Sequence, residues 1–135
     1  MKGLVHIYEG TGKGKSTAGV GLTIRCAGNG FPVVYSQFLK DGTTGEMNIL
    51  RKIPNITVLV EEHHFGFSFL MTPEEKVEAK AAYTALFEKV KAAAVEQNAR
   101  LLVMDEMLDL CNAELIDTAM VVDFLKNRPS SWKSL

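Results

Sequence analysis

The sequence predicts an α/β fold in which a parallel β-sheet is flanked by helices. Short apolar segments alternate with helix-like segments along the 135 residues, and such alternation produces parallel strands joined by right-handed crossovers. The segment 32–38 is almost continuously apolar, which is typical of a strand covered on both faces. No repeat, low-complexity segment or linker interrupts the pattern. We therefore assign residues 1–135 to a single domain.

The individual elements follow from apolar periodicity and from the residues that end each segment. We predict strands at residues 4–8, 32–38, 56–60 and 100–104, and helices at residues 15–27, 46–52, 72–97 and 114–127. The first helix ends at Gly28-Asn29-Gly30, which is a C-cap sequence. The third begins with Thr72 as its N-cap, Pro73 at the first helical position and Glu75 completing a capping box. The predicted buried side of this third helix comprises Val77, Ala81, Leu86, Val90 and Ala94.

Composition and charge limit the partners and the location that we expect. The formal net charge is −1, so no overall positive field would attract nucleic acid or an anionic membrane. No apolar run approaches the roughly 18 residues of a spanning helix, and we recognise no signal peptide. Cys26 and Cys111 form no Cys-x-x-Cys pair, which favours reduced core thiols. We therefore expect a cytoplasmic protein with neither nucleic acid nor membrane as a partner.

A glycine- and lysine-rich turn, Gly-Thr-Gly-Lys-Gly-Lys-Ser at residues 10–16, joins the first strand to the first helix. Glycines let backbone N–H groups point inward, and a helix N-terminus adds partial positive charge, so this turn is suited to cradle phosphates. Lys15 can reach phosphate oxygens, and the hydroxyl of Ser16 can ligate magnesium. The layout predicts nucleotide binding and a P-loop NTPase-like sheet. The predicted nucleotide-binding residues are Gly10, Thr11, Gly12, Lys13, Gly14, Lys15, Ser16 and Thr17.

The predicted phosphate loop is one residue shorter than the standard pattern. That pattern places four residues between the first glycine and the Gly-Lys pair, a count that falls on Glu9 rather than on a glycine. A shorter cradle should grip the phosphates differently. The presence of this loop therefore does not predict that the protein transfers the terminal phosphate of a nucleotide.

Two carboxylates, Asp105 and Glu106, directly follow the apolar fourth strand. Ligands of open parallel sheets bind beyond the carboxyl ends of the strands, which puts both residues at the same rim as the phosphate loop. Oxygen ligands of this kind suit magnesium bound to a nucleotide. We therefore predict a magnesium site formed by Ser16, Asp105 and Glu106.

Taken together, the motifs resemble those of the P-loop type of ATP:corrinoid adenosyltransferases. Besides the shortened loop, the matching segments are residues 25–30 (Arg-Cys-Ala-Gly-Asn-Gly), 37–40 (Gln-Phe-Leu-Lys), 45–50 (Gly-Glu-Met-Asn-Ile-Leu), 66–69 (Gly-Phe-Ser-Phe), 103–106 (Val-Met-Asp-Glu) and 126–129 (Lys-Asn-Arg-Pro). Phe69 stands where that family usually has tryptophan. The family also continues past Arg-Pro with a further strand and helix, whereas this sequence ends at Leu135. We therefore expect either a C-terminally truncated form, whose sheet would lack a late strand, or a divergent C-terminus.

The resemblance implies transfer of the 5′-deoxyadenosyl group of ATP to cobalt(I) of a corrinoid, with release of triphosphate, in cobalamin biosynthesis or salvage. It implies ATP as co-substrate, Mg²⁺, and an electron-donating reductase of the flavoprotein type. Cobalt is the nucleophile, so no protein nucleophile or base is required. Phe67 and Phe69 match the aromatic pair that helps to remove the lower axial ligand of the corrinoid, and the match around Arg25 favours contact with ATP. Dimers are common in the family, which leaves a homodimer open.

The residues alone leave other interpretations open. Phe67 and Phe69 have the alternate spacing of core residues in an ordinary strand, and Arg25 would equally solvate the end of a helix. A P-loop kinase or NTPase acting at the γ-phosphate would use Glu106 as a base, although the short loop and the phenylalanine pair would then be unexplained. A third interpretation is a domain that binds a nucleotide without turnover.

Overall fold

A parallel five-stranded sheet is the centre of the molecule in the computed structural model, which describes residues 4–8, 15–39, 45–61, 63, 65, 70–127 and 133–134. The strands are β1 (Leu4–Tyr8), β2 (Val33–Gln37), β3 (Ile56–Val60), β4 (Leu101–Asp105) and β5 (Lys133–Ser134). Their order across the sheet is β3-β2-β4-β1-β5, and all four pairings are parallel. The predicted parallel sheet flanked by helices is confirmed.

Helices connect the strands and cover both faces of the sheet. They are α1 (Lys15–Gly28), α2 (Gly45–Leu50), α3 (Pro73–Glu96), α4 (Met107–Asn112) and α5 (Thr118–Lys126). In the described ranges, no helix combines the length and the hydrophobicity that a membrane span requires.

The sheet separates two apolar cores because successive strand residues point to opposite faces. One core joins Val33, Tyr35, Leu101 and Val103 to α1 and α2 through Ala27, Met47 and Leu50. The other joins Val34, Leu102 and Met104 to α3, α4 and α5 through Tyr83, Phe87, Leu110 and Val121. Cys26 and Cys111 are free, half-buried thiols that pack against these two cores. A strand residue on one face of the sheet therefore packs against α1 and α2, and a residue on the other face packs against α3, α4 and α5.

The start of α3 is as predicted, whereas part of its predicted buried side is wrong. Thr72 accepts a hydrogen bond from the backbone N–H of Glu75, and the Glu75 side chain accepts one from the backbone of Thr72, which completes the capping box. Leu86, Val90 and Ala94 are buried, as expected, but Val77 is 71% exposed and Ala81 is also exposed. The buried stripe instead begins at Ala79 and Tyr83. Residues two positions apart lie on nearly opposite sides of a helix, so an error of two positions reverses the assignment.

The C-terminal third differs from the sequence prediction in two places. The helix expected at 114–127 begins only at Thr118, where Asp117 caps α5 by accepting from the N–H of Ala119 at 3.0 Å. The separate helix α4 precedes it, and Glu114 in the intervening turn has φ 59°. Further along the chain, Lys133–Ser134 forms a two-residue strand that pairs in parallel with the start of β1.

Candidate functional site

The carboxyl edge of the sheet, where β1 to β4 end at Tyr8, Gln37, Val60 and Asp105, is the candidate site. The helix α1 begins at this edge, because it follows β1 directly in the chain and packs against β1, β2 and β4. Its first backbone N–H groups have no partner within the helix, and the helix dipole adds partial positive charge there. An anion bound at this edge would therefore be stabilised.

The predicted phosphate loop connects β1 to the start of α1. Of the predicted nucleotide-binding residues, Gly10, Thr11, Gly12, Lys13 and Gly14 lie outside the described residues. For Lys15, Ser16 and Thr17 the structure describes the backbone alone, as the first turn of α1. The strand β1 before these residues and the helix α1 after them are the two elements that the loop motif requires.

Asp105 is the best-defined polar residue of the candidate site. It is the last residue of β4, is fully buried at 0% exposure, and pairs in register with both Tyr8 and Gln37. Strand alternation puts Asp105 on the same face as Leu101 and Val103, which is the face covered by α1. The structure therefore brings the predicted carboxylate to the edge and face at which α1 begins.

Two neighbouring strand ends continue in the left-handed backbone conformation that non-glycine residues rarely adopt. Leu39 follows β2 with φ 67°, and Glu106 follows β4 with φ 64° and ψ 20°. Such a conformation costs about 1–2 kcal/mol per residue, and residues of this kind cluster at functional sites. The half-buried Glu106 is also the N-cap residue of α4 but makes no side-chain cap hydrogen bond. Two further left-handed residues, Asn98 and Glu114, lie in turns away from this edge. The strain at Leu39 and Glu106 is therefore compatible with a functional role of this edge but is not confined to it.

An aromatic cluster lies beyond the same edge on the opposite face of the sheet. The Tyr83 ring lies 6.4 Å from the ring of Phe38 and 5.7 Å from that of Phe65, and Phe65 meets His63 edge-on at 4.4 Å between centroids. Burial, followed by the charges of Glu61 and Glu106, raises the pKa of Tyr83 to about 12, although a backbone hydrogen bond with Leu39 acts in the opposite direction. The cluster therefore connects Leu39 and Glu106 with the segment that carries Phe65.

The predicted corrinoid-binding pair, Phe67 and Phe69, lies outside the described residues. Its described neighbours are Phe65, which packs against the aromatic cluster, and Leu70, which is 70% exposed. The interpretation of these phenylalanines as ordinary core residues is therefore neither supported nor contradicted.

Arg25 lies apart from the other predicted site residues. It is exposed in the last turn of α1, ten residues beyond Lys15, which corresponds to about 15 Å along the helix. A cation there is stabilised by the negative end of the helix dipole. The helix carries Arg25 away from the carboxyl edge, and its contact with ATP stays a prediction.

The donor set at the carboxyl edge fits magnesium better than a metal held by protein side chains alone. In the part of the chain that the structure describes, no three His, Cys, Asp or Glu side chains come together as a metal-binding group. Magnesium does not need such a group, because it keeps several waters and takes few carboxylates together with substrate phosphates. The buried carboxylate of Asp105 is a group of the type that magnesium accepts as a ligand. Glu106 differs, because its charge acts on Tyr83 on the other face of the sheet.

Sequence analysis did not assign roles to three residues that the structure brings to this edge. Gln37 is a fully buried amide at the end of β2, Leu39 has a strained backbone, and Tyr83 belongs to the aromatic cluster. A polar residue that ends an otherwise apolar strand was the available signal for Gln37. Leu39 and Tyr83 gave no such signal.

Comparison with known proteins gives a consistent result. Residues 1–134 match the family model described as ATP:corrinoid adenosyltransferase BtuR/CobO/CobP. A protein from a Sinorhizobium species named corrinoid adenosyltransferase is 31% identical over 126 residues, which is 93% of this chain and 58% of that protein. Corrinoid adenosyltransferase from Escherichia coli K12 is 27% identical over 130 residues, and corrinoid adenosyltransferase CobA from Salmonella typhimurium LT2 is 28% identical over 130 residues. Each match covers 95% of this chain and 63% of the relative.

The match covers nearly the whole of this chain but not the whole of its relatives. The chain spans 58% to 63% of the length of these three proteins. The matched region includes the ends of the four strands β1 to β4 that define the candidate site, and the residues between β1 and α1. The chain belongs to the ATP:corrinoid adenosyltransferase family.

Proposed function

We propose that this protein transfers the 5′-deoxyadenosyl group of ATP to cobalt(I) of a corrinoid and releases triphosphate, as a step of cobalamin biosynthesis or salvage. The observation that carries the proposal is the family match over residues 1–134. The carboxyl edge supports it, because the start of α1 and the buried carboxylate of Asp105 meet where a nucleotide of an open parallel sheet binds.

The proposed reaction is a displacement at carbon. The electron pair of cobalt(I) attacks C5′ of the ribose and forms a cobalt–carbon bond, while the bond between C5′ and the triphosphate oxygen breaks. Cobalt is oxidised by two electrons to cobalt(III), and the bonding pair leaves on the triphosphate. No proton moves at the attacking atom, so the protein needs no general base. Its tasks are to orient C5′ toward cobalt and to stabilise the charge on the leaving group.

The phosphate loop is the proposed site of leaving-group stabilisation. Backbone N–H groups of residues 10–14, the amino end of α1, and the side chains of Lys13 and Lys15 would all act on the triphosphate. Because the reacting carbon is at the opposite end of the phosphate chain from the γ-phosphate, a shortened loop that changes the orientation of ATP suits this reaction. Arg25 is retained as a proposed ATP contact on the family resemblance.

Magnesium would be held by Asp105, with Ser16 and Glu106 as further proposed ligands. When bound, the ion supplies positive charge that neutralises the developing triphosphate. Asp105 is the strongest of the three candidates, since its fully buried side chain belongs to the face of the sheet covered by α1.

Phe67 and Phe69 are the proposed corrinoid contacts. A dry aromatic surface below the corrinoid would favour loss of its lower axial ligand, after which cobalt(II) is easier to reduce. The supporting observation is that Phe65, two positions before Phe67 in the sequence, belongs to the aromatic cluster, with its ring 5.7 Å from that of Tyr83. A reductase of the flavoprotein type is the proposed electron donor. A cytoplasmic location and a homodimer complete the proposal.

Product analysis tests the proposed function directly. The protein is incubated anaerobically with ATP, magnesium and chemically reduced cobalamin, and the products are separated by chromatography. We expect adenosylcobalamin and triphosphate in equal amounts. Inorganic phosphate or a phosphorylated acceptor would instead show a kinase or NTPase. Nucleotide binding without any product would show a domain that lacks turnover.

A further inference from the structure

The side chain of Gln37 is an unusual feature of the carboxyl edge. It is fully buried, yet neither Oε1 nor Nε2 has a hydrogen-bond partner among the described residues. A buried amide without partners destabilises a fold, because its hydrogen bonds to water are lost and not replaced. Methionine or leucine would occupy this position at lower cost. Such a group calls for an explanation outside the hydrogen bonds of the folded chain.

The position of Gln37 indicates which ligand would supply the missing partners. By strand alternation it lies on the face of Val33 and Tyr35, which pack against α1 and α2. It pairs in register with Asp105, so the two polar residues are neighbours at the ends of adjacent strands. Two other buried atoms without a described hydrogen-bond partner lie away from this strand end: Thr23 Oγ1 is in the middle of α1, and Arg100 Nη1 precedes β4.

We infer that Gln37 is a further nucleotide-binding residue, whose carboxamide contacts the triphosphate group of magnesium-bound ATP beside Asp105. Nε2 donates to a phosphate oxygen, and Oε1 accepts from water that hydrates the same group. The inference rests on the proposed function, because it requires a nucleotide at this edge. A neutral amide is suited to the position, since it has both a donor and an acceptor and adds no negative charge beside the carboxylate of Asp105.

The adjacent residue shows what a purely structural polar group looks like in this strand. Ser36 is also fully buried, but it lies on the opposite face and its Oγ donates to the carbonyl of Val103 at 2.7 Å. Ser36 thus has its partner within the fold, whereas Gln37 has none among the described residues. A structural polar group is expected to form its hydrogen bonds within the fold, as Ser36 does, whereas a ligand-binding group is expected to leave them for the ligand, as Gln37 does.

Substitution by methionine, which keeps the length of the side chain and removes both polar atoms, tests the inference. Calorimetric titration with magnesium and ATP should show about tenfold weaker binding to Gln37→Met, the loss expected for a hydrogen bond to a charged group. The midpoint of urea unfolding without nucleotide should be unchanged or higher, because an unpaired amide has been removed. A lower midpoint with unchanged ATP affinity would show a structural role and overturn the inference.

Thr23→Val is the matched control, because it also removes a buried polar atom without a described partner but lies away from the edge. Its affinity for magnesium–ATP should equal that of the wild type. If the wild type binds ATP and Gln37→Met binds equally well, the inference alone fails. If the wild type does not bind ATP, the proposed function fails with it.

A measurement on the unmodified protein covers the case in which the Gln37 variant does not fold. The side-chain amide signals of glutamine are followed by nitrogen-15 NMR while magnesium and ATP are added, and Gln97→Asn, at the exposed second glutamine of the chain, assigns them. We expect the Gln37 NH₂ signals to shift and their exchange with water to slow. Signals that stay unchanged at saturating ATP would contradict the inference.

Discussion

The two edges of the sheet differ in how their buried polar groups are used. At the amino edge, formed by the turns before β2, β3 and β4, Asn55 donates from Nδ2 to the carbonyls of Ala27 and Phe31 at 2.9 and 2.7 Å. The guanidinium of Arg100 lies 5.1 Å from the centre of the Phe31 ring. At the carboxyl edge, Gln37 is buried without a described partner. At the amino edge Asn55 is satisfied within the fold, although Arg100 Nη1 lacks a described hydrogen-bond partner. At the carboxyl edge both polar atoms of Gln37 lack one, and a ligand would use them.

Left-handed non-glycine backbone occurs at both edges, but the residue types differ. At the amino edge, Asn98 in the turn before β4 has φ 49°, and asparagine adopts this conformation at lower cost than leucine or glutamate. Leu39 and Glu106, both left-handed, flank adjacent strand ends at the carboxyl edge. At the amino edge, main-chain bonds such as Val33 N–H to Asn55 O at 2.9 Å and Arg100 N–H to Pro32 O at 2.8 Å join the turns to each other. This contrast supports the proposal that ligands bind at the carboxyl edge, while the contacts of the amino edge contribute to stability. It also predicts that substitutions at the amino edge lower the free energy of unfolding, whereas substitutions at the carboxyl edge lower nucleotide affinity or activity.

The largest effect is expected at Asp105. Asp105→Asn keeps the size of this buried side chain but removes its charge. We expect the rate of adenosyl transfer to fall by about 100-fold, since the ion that neutralises the leaving triphosphate is held less well. The measurement is the initial rate with reduced cobalamin at several magnesium concentrations. Asp123→Asn, an exposed position on α5, is the control and should retain the wild-type rate. Wild-type activity in Asp105→Asn would remove this residue from the site.

At the amino edge the expected effect is on stability and not on binding. Asn55→Ala removes two hydrogen bonds and leaves the carbonyls of Ala27 and Phe31 without this partner. We expect the free energy of unfolding to fall by about 1–3 kcal/mol, measured by urea denaturation. The affinity for magnesium–ATP should stay within a factor of about two of the wild type. A large loss of ATP affinity at unchanged stability would break the contrast between the edges.

The smallest effect compares two left-handed glutamates. Glu106 at the carboxyl edge has φ 64°, and Glu114 in the turn after α4 has φ 59°. Glycine at either position relieves the backbone, which should raise the free energy of unfolding by about 1 kcal/mol. Glu114→Gly should keep its activity, whereas Glu106→Gly should lose activity despite its higher stability. Equal activity in the two variants would show that the strained Glu106 has no function.

Much of the fold could be predicted because its signals are local. The capping box at Thr72 and Glu75 fixes the start of α3, and the apolar segment at 33–37 can only be a buried strand. The side of α3 that faces the sheet was predicted wrongly at Val77 and Ala81, because alanines are common on both sides of this helix and only packing distinguishes them. The short helix α4 begins after the left-handed Glu106, and a left-handed glutamate has no sequence signal.

In the candidate site, too, local sequence signals could be predicted and the results of packing could not. A carboxylate after an apolar strand is visible in the sequence, so the position of Asp105 could be predicted. It could not be predicted that Gln37 has no hydrogen-bond partner among the described residues, because a buried glutamine normally finds one and only the packed structure shows whether it does. Arg25 illustrates the reverse case, because a motif suggests a contact while the length of α1 separates the residue from Lys15 by about 15 Å.

Amide hydrogen exchange of the unmodified protein, with and without saturating magnesium and ATP, tests most directly whether the carboxyl edge is the ligand-binding edge. The account predicts slower exchange in peptides containing residues 37–39 and 105–107, with no change in those containing 27–32 and 53–56. Protection that appears at the amino edge, or none at the carboxyl edge while ATP is bound, would contradict it.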